Sequence, residues 1–194
     1  MALRDGRHVG IGLDVSDLRR EERRLARHTA VLEGINLILG QVITAETGRA
    51  LADTCLAVAL QVTGSKVGFV GGIGPDGHLR DVSVGEVEPE PSDVGCPLAG
   101  PAFHSLRSQV LDLRRGTYTN DLAADGVSAV LPSDHPPITC FLGVPLIRGG
   151  EQVGLLAVAN REGGYGPEQL EDLEAVAPAV MQAQGSQLTN KYAE

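Results

Sequence analysis

Tryptophan is absent, and Phe and Tyr make up only 3% of the 194 residues. A core must therefore come from Leu, Val, Ala and Ile, and any ligand pocket has few rings to stack on a planar ligand. Cysteine is scarce and odd in number. Cys55, Cys96 and Cys140 stand far apart with no C-x-x-C pair, which argues against a disulfide framework or a structural zinc site. No apolar run of 18 residues and no signal-peptide core occurs, so membrane insertion is not expected and a reducing cytoplasm is the expected setting.

What remains is an ordinary globular composition, 42% apolar and 21% charged. The length suits one compact domain with an appendage. The formal charge is −9, unevenly spread: residues 1–30 hold seven Arg against five acids, leaving nine basic and twenty acidic groups for the rest. A main body near −11 repels phosphate backbones, so no nucleic-acid partner is expected. Arg19, Arg20, Arg23, Arg24 and Arg27 alternate with Glu21 and Glu22, the pattern of a solvated helix face.

Residues 1–15 offer an Asp5-Gly6 turn and a short alternating stretch that cannot bury a face alone. Asp14 or Ser16 then caps a long helix over 16–43. Leu18, Leu25, Leu32 and Leu39 recur every seven residues along it, with Ile35 and Val42 as a partial second row. This spacing fits a two-stranded parallel coiled coil, hence a homodimer; the alternative is an amphipathic helix lying on its own domain. Thr44–Thr47 interrupts it, and a second helix runs to Gly64.

Beyond Gly64 the pattern turns to strands. KVGFVGGI and HLRDVSVG flank a Pro75-Asp76-Gly77 turn and form a hairpin. A helix follows over 98–115, then a short edge strand at 117–119 and an irregular stretch through Pro137. CFLGVPLIR and EQVGLLAVANR, joined by Gly149-Gly150, form a central antiparallel hairpin. A last helix over 167–184 carries Leu170, Leu173, Val176, Ala177 and Val180 on one face. The order gives an α+β fold: an antiparallel sheet covered on one side by helices, with a long N-terminal helix.

The run FLGVPLIRGGEQVGLLAVANREGGYGPEQLEDLEAVAPAV resembles the second half of bacterial GAF domains, and SDHPPITCFLGVPL resembles the loop that enters that strand. ETGRALADTCLAVALQVTGSKVGFV matches the family's first half in order. The likeness implies a GAF/PAS-like fold over 44–184, followed by a tail at 185–194. DGRHVGIGLDVSDLRREERRL resembles the last strand of a PAS domain and the signalling helix leaving it, which makes 1–15 a PAS remnant. Together they imply a piece of a bacterial multidomain sensor of the histidine kinase type, non-catalytic in itself and flanked by signalling domains. The sequence departs from two known ligand signatures. Asn160-Arg161 and Tyr165 match the cyclic-nucleotide pattern loosely, but Gln169 stands where that pattern has Asp. Bilin-binding members have Cys followed by His, whereas here Cys140 precedes Phe141 and Cys96 precedes Pro97.

Read for chemistry, the remaining motifs are bland. Gly72-Ile-Gly74-Pro-Asp-Gly77 fits GxGxxG but lies between two strands, with no helix N-terminus to receive a pyrophosphate. His28 has no acid or Pro a turn later and reads as a helix-surface histidine. Ser133, Asp134 and His135 are adjacent, and adjacent loop residues cannot form a relayed triad. The family likeness places a small-molecule pocket between the sheet and residues 94–141, lined by Phe69, Phe103, His104, Leu122, His135, Cys140 and Phe141. The cofactor is left unknown. Two alternatives stand beside a ligand-binding module: a ligand-free dimerisation spacer, and a haem or redox sensor in which His104, His135, Cys96 and Cys140 converge.

Overall fold

The computed structural model describes residues 16–45, 47–74, 79–86, 104–122 and 138–191. They form α1 (Ser16–Thr44), α2 (Gly48–Thr63), β1 (Val67–Ile73), β2 (Leu79–Glu86), α3 (His104–Leu113), β3 (Thr117–Thr119), β4 (Phe141–Arg148), β5 (Glu151–Ala159) and α4 (Pro167–Lys191). Residues 1–15, assigned above to a PAS remnant, lie outside the described residues, as does the turn at 75–77. No helix among the described residues is long and apolar enough to cross a membrane.

The strands make one antiparallel sheet in the order β2-β1-β5-β4-β3. Its centre is the β4–β5 hairpin, in which Leu142 pairs with Val158 and Val144 with Leu156. Gly149 and Gly150 both take positive φ, 60° and 83°. A two-residue loop needs that twist, and side chains resist it.

The fold class is the α+β arrangement expected, but the sheet is covered on both faces rather than one. Val70, Leu142, Val144, Leu146, Leu156 and Val158 pack with α1, α2 and α4. Phe69, Phe141, Leu155, Ala157 and Ala159 point the other way, onto Leu106 and Val110 of α3. Alternation explains it: successive strand residues face opposite sides, so the near-continuous apolar runs of β4 and β5 need cover on both. Each large side chain so buried contributes about 1.5–3 kcal/mol.

α2 is capped by Thr47, whose hydroxyl accepts the Ala50 N–H at 3.3 Å. It buries Leu51, Ala52, Cys55, Leu56, Val58, Ala59 and Leu60 between the sheet and the outer helices, and leaves a stripe of Arg49, Asp53, Ala57 and Gln61 exposed. Burial at Cys55 pushes its thiol up to about 12, which leaves it a packing group.

α1 lies on its own domain through one face and leaves its heptad row bare on another. Val31, Gly34 and Ile38 face its own domain, with Ile35 and Val42 at the margin. The heptad row points away: Leu18, Leu25, Leu32 and Leu39 are 61%, 59%, 61% and 41% exposed, and Ile43 beside them 87%. At its basic end, Arg27 meets the first turns of α4, with Glu168 at 3.2 Å, Glu171 at 3.4 Å and Asp172 at 3.3 Å. α4 continues to Lys191, past the end expected at 184. Pro178 is tolerated inside it because Pro178 and Glu174, the residue whose carbonyl loses its donor, are both exposed to water.

Candidate functional site

Of the seven residues expected to line a pocket, Phe69, Leu122 and Phe141 lie together in the α3-side layer. Phe69 and Phe141 have no solvent exposure. Gly143 makes room for this arrangement, since a Cβ there would lie 2.9 Å from the Phe141 ring and 3.0 Å from Val110. Arg107 of α3 sets its guanidinium 5.8 Å from the Phe69 ring centre, a cation–π distance. Among the described residues that layer is apolar, with the Arg107 guanidinium beside it.

Cys140 belongs to the opposite layer, with α2 and α4. Neighbours in extended chain point to opposite faces, and Phe141 accordingly packs in the α3-side layer. The Cys140 thiol donates to the Arg161 carbonyl at 3.5 Å. His104 opens α3; Phe103, His135 and Cys96 lie outside the described residues. Among the described residues no three His, Cys, Asp or Glu side chains are grouped to hold a metal ion.

The strand ends beside this layer frame an open cleft of ≈ 620 Å³, between Lys66, Asn120, Thr139, Cys140 and the turn at 160–164. Asn160 takes φ 60°. Its Oδ1 accepts the Thr139 N–H at 2.8 Å, and its own N–H donates to the Cys140 carbonyl at 3.2 Å. Arg161 Nη1 donates to the carbonyls of Gly164 at 2.7 Å and Glu162 at 3.0 Å. Tyr165 is held by Asn120 at both backbone groups, 2.7 and 2.8 Å. Its hydroxyl lies 2.7 Å from Ser65 Oγ, which lies 2.6 Å from Thr63 Oγ1. Burial pushes the Tyr165 phenol well above its ordinary value, so it stays neutral.

In this structure Asn160, Arg161 and Tyr165 bond within the chain. Asn160 ties the turn to the entry of β4, Arg161 braces it through the turn's own carbonyls, and Tyr165 joins it to Asn120 after β3 and to Ser65 after α2. Asn120, Ser65 and Thr63 were not expected at the site. The only sequence signal was Asn120-Asp121, read as the start of an irregular stretch; a partner 45 residues away leaves no local trace.

A family profile described as GAF domain matches residues 45–183. No curated protein matches the chain. Among solved structures, the GAF domain of a phosphoenolpyruvate-protein phosphotransferase from Coxiella burnetii superposes with a TM-score of 0.65 at 13% identity, covering 84% of this chain and 98% of that one. The free methionine-R-sulfoxide reductase from Neisseria meningitidis, solved with its substrate, gives 0.63 at 14%, covering 82% and 91%. A phycoerythrobilin-bound GAF domain from a cyanobacterial phytochrome gives 0.60 at 14%, covering 83% and 97%. At such identities the likeness is one of fold.

Proposed function

Because the chain belongs to the GAF domain family, we propose that it is a sensory and regulatory module of a bacterial signalling protein. It binds a small molecule on the α3 side of its sheet and couples flanking domains, as a homodimer, through α1. The module itself is non-catalytic, works in the cytoplasm and belongs to a sensor of the histidine kinase type with a PAS-like domain ahead of it. The observation that carries the reading is the two-sided use of the elements. α1 rests on its own domain through one face and leaves a heptad row of leucines on another. The sheet meanwhile offers α3 a face separate from the one α1 and α4 cover.

Native mass spectrometry of the purified protein tests both halves, since subunit count and bound mass are read together. A dimer carrying a discrete added mass supports the reading. A monomer removes the coupling half. No added mass, together with no thermal shift from any nucleotide, tetrapyrrole or metabolite screened, removes the ligand half.

A second reading, a ligand-free dimerisation spacer, is favoured by the complete burial of Phe69 and Phe141. It gives a dimer with no ligand effect. The haem or redox alternative is read from colour: a visible absorption band in the purified protein supports it, and a protein unchanged by added haem removes it.

A further inference from the structure

Asn120, the residue after β3, holds both backbone groups of one residue. Its Nδ2 donates to the Tyr165 carbonyl at 2.8 Å, and its Oδ1 accepts the Tyr165 N–H at 2.7 Å. Two bonds in one plane fix rotation as well as distance, as a strand pairing would. The fit is close: a Cβ on Gly164 would lie 2.5 Å from Asn120 Oδ1. Tyr165 is 4% exposed, and its hydroxyl is tied to Ser65 at the end of α2. Its ring is thus anchored to the helical layer while its backbone is anchored to β3.

On one side of this clamp, Leu122 stands two residues after Asn120, buried in the α3-side layer. On the other, Pro167 begins α4 two residues after Tyr165, and the first turns of α4 carry Glu168, Glu171 and Asp172 around Arg27. Asp172 Oδ2 is buried without a hydrogen-bond partner, and Arg27 Nε and Nη1 make no aligned hydrogen bond. That cluster is therefore held by charge more than by directed bonds. Coulomb attraction depends on distance, so when either helix turns, the balance among the three carboxylates around the one guanidinium changes.

We infer that Asn120 is a transmission residue: a shift of Leu122 in the α3-side layer turns the Asn120–Tyr165 clamp, moves the first turn of α4, and changes how Arg27 holds α1. The origin of the shift rests on the sensory reading above, whereas the linkage itself is testable without any ligand. It does not require a strained or unfolded intermediate. It needs only that the clamp and the ion cluster respond to the same motion.

Hydrogen exchange read by mass spectrometry on the whole chain is the test. Asn120→Ala is expected to raise exchange about tenfold in two separated segments, 161–172 and 16–30, with β1 and β5 unchanged. Arg27→Met raises it in 16–30. The double variant shows no more exchange in 16–30 than Arg27→Met alone, because both changes release the same connection. A merely local role for Asn120 gives the rise in 161–172 only, and this overturns the inference. Additive effects in 16–30 overturn it as well. Asn120→Asp keeps the acceptor for the Tyr165 N–H and loses the donor; it gives a smaller rise in the same two segments and serves if the alanine variant does not fold. A chain that binds no screened molecule leaves this linkage standing, and unchanged α1 exchange leaves ligand binding standing.

Discussion

Arg27 on α1 and Asp172 on α4 meet with Nε 3.3 Å from Oδ1, their side chains only 19% and 4% exposed. Two opposing effects act on the carboxyl. Burial raises its pKa above the ordinary 3.8, and the Arg27 charge pulls it down; burial is the larger. The pair is therefore costly to form and costlier to break, since removing one partner leaves a charge in a low-dielectric site.

Arg27→Met should accordingly lower stability by about 3–5 kcal/mol, read from urea unfolding midpoints. Adding Asp172→Leu should recover most of that loss, because no uncompensated charge remains. A double variant no better than the single one would mean that Arg27 acts through the packing of its stem and not through the pair.

The pH dependence follows from the same carboxyl. A group whose folded-state pKa is raised contributes stability that is fully present below its unfolded value and is lost as pH rises through the folded value. Relative to Asp172→Asn, the wild type should therefore lose stability as pH climbs from below 3.8, then level off once Asp172 is ionised. Urea titrations in pH steps read the difference. A wild type that gains on the variant over that range would show that attraction to Arg27 outweighs burial.

Two glycines on α1 make opposite predictions. A Cβ on Gly34 would lie 2.5 Å from Val58 Cγ1, whereas one on Gly40 meets nothing within 4 Å. Gly34→Ala should destabilise by about 1–3 kcal/mol through overpacking against α2, and Val58→Ala should relieve it. Gly40→Ala should stabilise by about 0.5–1 kcal/mol, the helical preference of Ala over Gly. Thermal melts of the two single variants, moving in opposite directions, check the docking of α1 on α2.

The sequence was legible where periodicity and turn chemistry act locally. Gly149-Gly150 between two apolar runs admits one hairpin, and Thr47 and Gly64 bracket α2 as capping predicts. Its silence begins where one residue's direction depends on another far away. Cys140 and Phe141 were grouped in one pocket, yet the strand period sends them to opposite layers. α3 shows an apolar face in Leu106 and Val110, but periodicity does not say which side of a sheet a helix covers, so cover on the second side went unread. The clamp from Asn120 to Tyr165 spans 45 residues, and nothing in the composition of either segment marks it. The end of α4 was placed seven residues early, because Gly185 reads as a stop and the helix passes through it.

The proposed dimer rests on the outward row of α1. Full burial of a Leu contributes about 1.5–3 kcal/mol, and these leucines are already about half covered. Eight of them from two protomers therefore supply on the order of 10 kcal/mol, against an association cost of about 4–15 kcal/mol. A dimer resting on this row is marginal and sensitive to each position. Leu25→Asp with Leu32→Asp removes half the row and places four carboxylates at its centre, so sedimentation should find a monomer at concentrations where the wild type is dimeric. Val31, Gly34 and Ile38, which hold α1 on its own domain, are untouched, and the thermal midpoint extrapolated to low protein concentration should stay where it was. A variant that remains dimeric would place the interface elsewhere on the surface. One that loses its fold as well would show that the leucines pack within the protomer.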